Sequence, residues 1–164
     1  MQHVHNMIMV STLLCCAEEA GPVVKICDFE FAKPLAAASG GIRGTPGYMP
    51  NPEYASHPDS PGKMDVFALG IVIWELWTLE RAFVDMKTKF ISPLDFVVAH
   101  HRDGTRPDVH LCVASGMPES VQLLMRRCWA DHPSDRPTVA EALAGVLAAQ
   151  EVMHRRTVDD STPS

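Results

Sequence analysis

The chain has 164 residues, a length that suits one domain, and 46% of them are hydrophobic, enough for a core and too many for a disordered chain. The formal net charge is -6 and no basic block stands out, which argues against nucleic acid as a partner. The five cysteines form no CxxC pair and their number is odd, so they read as buried or free thiols in a reducing compartment.

In chain order, His3 and His5 lack the further ligands that a metal site would need at sensible spacing. The apolar run from Met7 to Ala17 is shorter than the about 20 residues of a membrane-spanning helix. No Lys or Arg precedes it, as one would in a secretory signal. Val23-Val24-Lys25-Ile26-Cys27 predicts a short strand bounded by Gly21-Pro22. It runs into Asp28-Phe29-Glu30, which places a candidate metal ligand at the strand end. From Ala36 to Pro61 the chain is rich in Gly, Pro, Ser and Asn and predicts a long loop of the functional or mobile kind.

Helices follow. Asp65 is the expected N-cap of a helix through about Leu79, apolar nearly all round and hence buried; it is too short to span a bilayer and contains Glu75. Ser92-Pro93-Leu94-Asp95 starts a second helix toward His101. Pro118 opens a third, with Val121, Leu124, Met125, Cys128 and Trp129 at helical spacing. Thr138-Val139-Ala140-Glu141 is a capping box for a fourth, carrying Leu143, Val146 and Leu147 on one face and ending near His154. Residues 157-164 are expected to fray. The β part is too small to be a sheet of its own, so the chain reads as a piece of something larger.

Taken together, these segments resemble the C-terminal lobe of a eukaryotic protein kinase, over roughly residues 22-150. Lys25-Ile26-Cys27-Asp28-Phe29-Glu30-Phe31-Ala32-Lys33 resembles the strand and metal-binding DFG segment. Gly44-Thr45-Pro46-Gly47-Tyr48-Met49 with Pro52-Glu53 resembles the end of the activation segment. Asp65 to Leu76 resembles the central buried helix. Arg106-Pro107, Cys128-Trp129, Pro133 and Arg136-Pro137-Thr138 match the closing signature of tyrosine kinases and tyrosine-kinase-like serine/threonine kinases. Four pieces in family order are far more specific than any one of them.

The resemblance implies a mainly α fold: a kinase-like C-lobe at 21-156, activation segment at 28-53, a small β element near the N-terminus and no N-lobe. It implies ATP and magnesium as cofactors, with Asp28 on the metal, and a protein substrate or partner in the cytoplasm. It also implies a buried ion pair between Glu53 and Arg136, whose planar guanidinium suits a carboxylate. Asp65 would cap its helix and hold the catalytic-loop backbone, and Trp129 would belong to the core. Thr45 and Tyr48, with Ser39 earlier in the loop, are candidate phosphosites by position.

Departures from the family pattern point the other way. Phosphoryl transfer needs a glycine-rich loop, a strand lysine with its helix glutamate, and a catalytic aspartate and asparagine. The first three belong to the N-lobe. His5 to Leu14, set against HRDLKxxNxLL, puts Asn6 at the arginine, Met7 at the catalytic Asp, Met9 at the Lys and Thr12 at the Asn. A thioether is no useful base. The other reading of residues 1-20 is unrelated sequence. Glu30 replaces a glycine and brings negative charge toward any triphosphate. Met49-Pro50-Asn51-Pro52-Glu53 is one residue longer than the family's MAPE. His101-Arg102-Asp103 spells HRD in the wrong place and reads as the polar end of a surface helix. The expectation is a kinase-family chain without catalysis of its own. A pseudokinase or binding module, and a truncated form of an active kinase, stand as alternatives.

Overall fold

The apolar run after Gly62 forms the central helix, α1 (Lys63–Thr78), in a computed structural model that describes residues 4–5, 13–18, 21–26, 33–34, 44–54, 57, 62–84 and 92–159. Val66, Phe67, Ala68, Ile71, Val72 and Trp74 are buried, but Leu76 is exposed, so the helix is not covered all round as its apolar sequence predicts. The helix starts earlier than the sequence predicts. Its N-cap is Gly62 at φ 77, without a side-chain cap, and Asp65 lies inside the first turn. Asp65 is therefore not the cap. At the other end Leu79 turns left-handed at φ 59 and donates its N–H to the Glu75 carbonyl at 2.9 Å.

Among the described residues four further helices follow. In α2 (Pro93–Arg102) the Ser92 hydroxyl oxygen accepts the Asp95 N–H at 3.1 Å and its O–H donates to the Asp95 carboxylate at 2.7 Å. The short α3 (Val109–Ala114) is capped by Asp108, which accepts the His110 N–H at 2.8 Å. The sequence reading passes over α3, because six residues are too few to show a helical period. In α4 (Glu119–Cys128) the residues Val121, Leu124, Met125 and Cys128 are buried, as their spacing predicts. In α5 (Val139–Asp159) the capping box forms: Glu141 N–H donates to Thr138 Oγ1 at 3.2 Å, and Thr138 N–H to the Glu141 carboxylate at 2.7 Å.

Two features of α5 differ from expectation. It continues to Asp159, past the residue where fraying was expected. Its inner face is the buried Ala142 and Ala149 with the half-buried Gly145, whereas Leu143, Val146 and Leu147 are exposed. The cause is close approach: a Cβ on Gly145 would sit 3.0 Å from Leu124 Cδ2, so only small residues fit between α4 and α5.

The β content is small. β1 (Val4–His5) pairs antiparallel with β4 (Lys33–Pro34), and β2 (Leu13–Glu18) with β3 (Gly21–Ile26), Leu13 opposite Ile26. The predicted strand lies in β3, except Cys27, which is outside the described residues. Val24 and Ile26 are exposed, so the β2–β3 hairpin leaves apolar side chains uncovered. The main core is helical: Phe67 and Ile71 of α1 meet Phe96 and Val97 of α2, Cys112 of α3, Met125 of α4, and Trp129. Among the described residues no helix is long and apolar enough to cross a membrane.

The α1–α4 contact is equally close. A Cβ on Gly70 would meet Cys128 Cβ at 3.0 Å, the Met125 carbonyl oxygen at 3.1 Å and the Trp129 nitrogen at 3.1 Å. Two of these atoms are backbone and cannot turn aside. Gly70→Ala is expected to destabilise the fold by about 1–3 kcal/mol through overpacking. Gly145→Ala meets a flexible leucine instead, and the gain of about 1 kcal/mol in helix propensity offsets most of its cost. Urea unfolding midpoints of the two variants, read side by side, check this order.

Candidate functional site

The segment Gly44–Pro50 is seated on α1, α2 and the loop after α1. A turn closes it, with Tyr48 N–H donating to the Thr45 carbonyl at 3.1 Å and Gly47 at φ 96. Tyr48 and Met49 are buried. The Tyr48 hydroxyl donates to Glu75 Oε2 at 2.7 Å, and Glu75 Oε1 accepts the Ala82 N–H at 2.8 Å. One buried carboxylate of α1 thus fastens the segment on one side and the following loop on the other. Burial and this hydrogen bond hold the Tyr48 phenol well above its ordinary value. Tyr48 is correspondingly not presented to solvent as a phosphosite. Thr45 is half-buried, and Ser39 lies outside the described residues.

Next to it, Phe83 at φ 61 packs on Gly47, where a Cβ would come within 3.1 Å of Phe83 Cδ2. His101 Nε2 lies 2.8 Å from the Met49 carbonyl oxygen. A carbonyl only accepts, so Nε2 carries the proton and the tautomer is fixed. His101 is buried, which corrects the reading of His101-Arg102-Asp103 as the polar end of a surface helix. Arg102 and Asp103 are exposed and pair with each other at 2.8 Å. His100 is 1% exposed, its ring 4.4 Å from Phe83 and 5.6 Å from Phe96. Phe96, Val97, His100 and His101 recur at i, i+1, i+4 and i+5, a buried helical stripe that the sequence already contained.

Arg136 is 2% exposed and makes no ion pair with Glu53. Its Nε donates to the Ala130 carbonyl at 2.8 Å, Nη2 to the Asp131 carbonyl at 2.7 Å and Nη1 to the Lys63 carbonyl at 3.1 Å. Lys63 Nζ returns a bond to the Arg136 carbonyl. Burial and the neighbouring Arg106 push Arg136 down to about 10, still charged near neutrality. Glu53 is exposed in a single 3-10 turn (Pro52–Tyr54). Its N–H donates to Asn51 Oδ1 at 3.0 Å and its carboxylate accepts from Asn51 Nδ2 at 3.4 Å. The expected pair fails for two reasons: Asn51 captures Glu53 locally, and carbonyls already satisfy the guanidinium.

Arg106 completes this centre. Its Nε donates to the Trp129 carbonyl at 3.0 Å, Nη1 to the Thr105 carbonyl at 2.8 Å and Nη2 to Asp131 Oδ1. The Arg106 and Arg136 guanidiniums lie 5.3 Å and 5.1 Å from the Phe67 ring centroid, within cation–π range. Trp129 is buried at the C-cap of α4.

Asp65 is half-buried with no hydrogen bond among the described residues, and burial pushes it up to about 7. The catalytic-loop backbone assigned to it lies largely outside the described residues, as do Met7, Met9, Thr12, Asp28 and Glu30. Cys112 and Cys128 are free, buried thiols, Cys128 pushed up to about 12 by burial. Among the described residues no three His, Cys, Asp or Glu side chains are placed to hold a metal ion.

The family model "Protein kinase domain" matches residues 4–147. "Mitogen-activated protein kinase kinase kinase 7" of Homo sapiens is 30% identical over 138 residues, covering 84% of this chain and 21% of that protein. "Dual specificity protein kinase shkB" of Dictyostelium discoideum is 32% identical over 141 residues, covering 84% of this chain and 20% of that protein. "Mitogen-activated protein kinase kinase kinase 12" of Rattus norvegicus is 32% identical over 134 residues, covering 80% of this chain and 14% of that protein. The chain spans about a fifth of the length of the first curated relatives it matches.

Two outcomes follow from Arg136 and Asp65. In a double-mutant cycle, Arg136→Gln is expected to cost about 3 kcal/mol or more, because three carbonyls lose their donor. Glu53→Gln should stay within about 0.5 kcal/mol of the parent. Denaturant unfolding of the four proteins gives the coupling, which should vanish within error; a coupling above about 1 kcal/mol would restore the ion pair. For Asp65 the folded value of about 7 lies above the ordinary 3.8. The folded state thus binds the proton more tightly than the unfolded chain, and stability falls as pH rises through that window. Asp65→Asn removes this loss, gaining about 1–3 kcal/mol on the parent between about pH 5 and pH 8. Unfolding curves at the two pH values check it.

Proposed function

This chain belongs to the protein kinase domain family, and from that premise we propose that it is a catalytically silent kinase lobe that works by holding another protein. In active members of the family, ATP with magnesium supplies the phosphoryl group that passes to a protein hydroxyl. The observation that carries the silent reading is Met7, at the position matching the catalytic aspartate. A methionine sulfur is a weak acceptor and cannot take the hydroxyl proton. Met9 and Thr12 at the adjoining matched positions, and Glu30 after the strand end, point the same way.

The described residues do other work. Glu75, Phe83 and His101 fix Gly44–Pro50 against the helices, and in this reading that segment presents the protein-docking face. Names such as mitogen-activated protein kinase kinase kinase and dual specificity kinase fit the tyrosine-kinase-like group, to which Cys128-Trp129 and Arg136-Pro137-Thr138 already pointed. Free thiols at Cys112 and Cys128 suit the cytoplasm as the compartment.

A second reading is favoured by the share of the relatives that the match covers: the same lobe acts within a longer, active kinase. Sequencing the transcript upstream of the Met1 codon separates the two. An in-frame glycine-rich loop, strand lysine and catalytic aspartate there would support the longer enzyme.

For the silent reading the test is phosphate transfer from radiolabelled ATP to a general protein substrate by the 164-residue chain. Incorporation should equal the blank and be indifferent to Asp28→Asn. Transfer above the blank that Asp28→Asn abolishes would overturn it.

A further inference from the structure

His100 and His101 occupy a position that the resemblance to kinases does not explain. Both are buried on α2, and both adjoin the contacts that seat Gly44–Pro50. Among the described residues neither ring nitrogen of His100 has a hydrogen-bond partner. Its ring stacks on Phe96 at an interplanar angle of 17° and meets Phe83 edge-on. Phe83 in turn fills the space over Gly47. His101 gives its Nε2 proton to the Met49 carbonyl, and its Nδ1 is buried and unbonded.

An imidazolium at His100 would be a buried charge with no acceptor, walled by two phenylalanines and by the His101 ring at 4.7 Å. The charged groups around the pair offer little relief. Arg106 and Arg136 oppose a further positive charge. Asp131 lies 3.9 Å from His101 Nδ1, but the same carboxylate oxygen already accepts from Arg106. Glu75, which holds Ala82 beside Phe83, is engaged at both oxygens. Asp131 therefore draws on both rings, but only His101 also has a hydrogen-bond acceptor, at Met49, among the described residues.

We propose that His100 is a proton-operated latch on the Gly44–Pro50 segment, with His101 as the fixed hinge at Met49. Protonation of His100 is relieved by opening the Phe83 side of its pocket to water, which frees Gly47. His101 keeps its donor to the Met49 carbonyl in either protonation state, and so holds the Met49 side while the Gly47 side lets go. The segment opens in mild acid while α4 and α5, which carry no part of the latch, stay closed.

The sign and size follow from linkage. Burial holds His100 at about 3 in the seated state against an ordinary 6.5. Release is thus proton-driven as pH falls through 6.5, and becomes about tenfold more favourable between pH 7.5 and pH 5.5.

Hydrogen exchange of the full chain at these two pH values, corrected for intrinsic rates, tests this. Amides of Gly47–Tyr54 should exchange about tenfold faster at pH 5.5, with no change in α4. His100→Phe, which keeps the ring stack without titrating, should abolish the acid response. His100→Gln, smaller and also non-titrating, should do the same. His101→Phe removes the donor to Met49 and should speed exchange of the segment at both pH values. An acid response that survives both His100 variants, or equal acid loss of protection in α4, would overturn the latch.

Discussion

A guanidinium almost closed to water is the constraint on which the rest of this fold depends. Arg136 donates to carbonyls at Lys63, Ala130 and Asp131, and so joins the first turn of α1 to the chain between α4 and α5. Two of those carbonyls, Ala130 and Asp131, lie in the loop after α4, where backbone acceptors have no partner in a helical ladder. The planar fork supplies several donors from one rigid group, which a lysine cannot do. The charge remains buried without a carboxylate bonded to it. It is stabilised by carbonyl dipoles, by the Phe67 ring and by the Asp131 carboxylate that Arg106 shares. This arrangement escapes the cost of desolvating a second full charge, the weakness of buried ion pairs.

From this anchor the seat of Gly44–Pro50 follows. With the start of α1 fixed, Glu75 comes three turns later at a defined height, where it meets both Tyr48 and Ala82. A buried carboxylate needs its lone pairs satisfied, and the two donors come from segments on either side of α1 in sequence. The helix therefore closes two loops with one side chain. The left-handed residues Leu79 and Phe83 bracket the second of these loops. Non-glycine residues held there cost local strain, and the Glu75 bond and the Phe83–Gly47 packing hold Phe83 in place.

Much of this was legible in sequence. The apolar run of α1, the Ser92 and Thr138 caps and the α4 period each rest on local chemistry that operates within a few residues. What was not legible depends on distances between elements. Leu143, Val146 and Leu147 outrank Ala142 and Ala149 in any hydrophobicity pattern, yet the narrow gap against Leu124 admits only the small residues. Glu53 and Arg136 look like complementary charges, but Asn51, two residues away, competes for the first and backbone carbonyls hold the second. Glu75 and the His100–His101 pair break the apolar pattern of their helices, and such a break signals either a surface or a buried polar contact. Only the fold decides which. The residues matched to the metal site and the catalytic loop rest on sequence resemblance alone.

Two buried titrations act against each other in this lobe. Asp65 makes the fold less stable as pH rises from 3.8 toward 7, because its folded form keeps a proton that the unfolded chain releases. His100 makes it less stable as pH falls from 6.5 toward 3, because the unfolded chain takes up a proton that the fold refuses. Over the shared range the two slopes are opposite, and His101, also held down by burial, adds to the loss in acid. The two groups sit on different parts of the structure, however. Asp65 lies in the first turn of α1 near the arginine centre, and His100 lies against Phe83 at the seat of Gly44–Pro50. Each response is therefore local: acid loosens the seat of Gly44–Pro50, and alkali the first turn of α1.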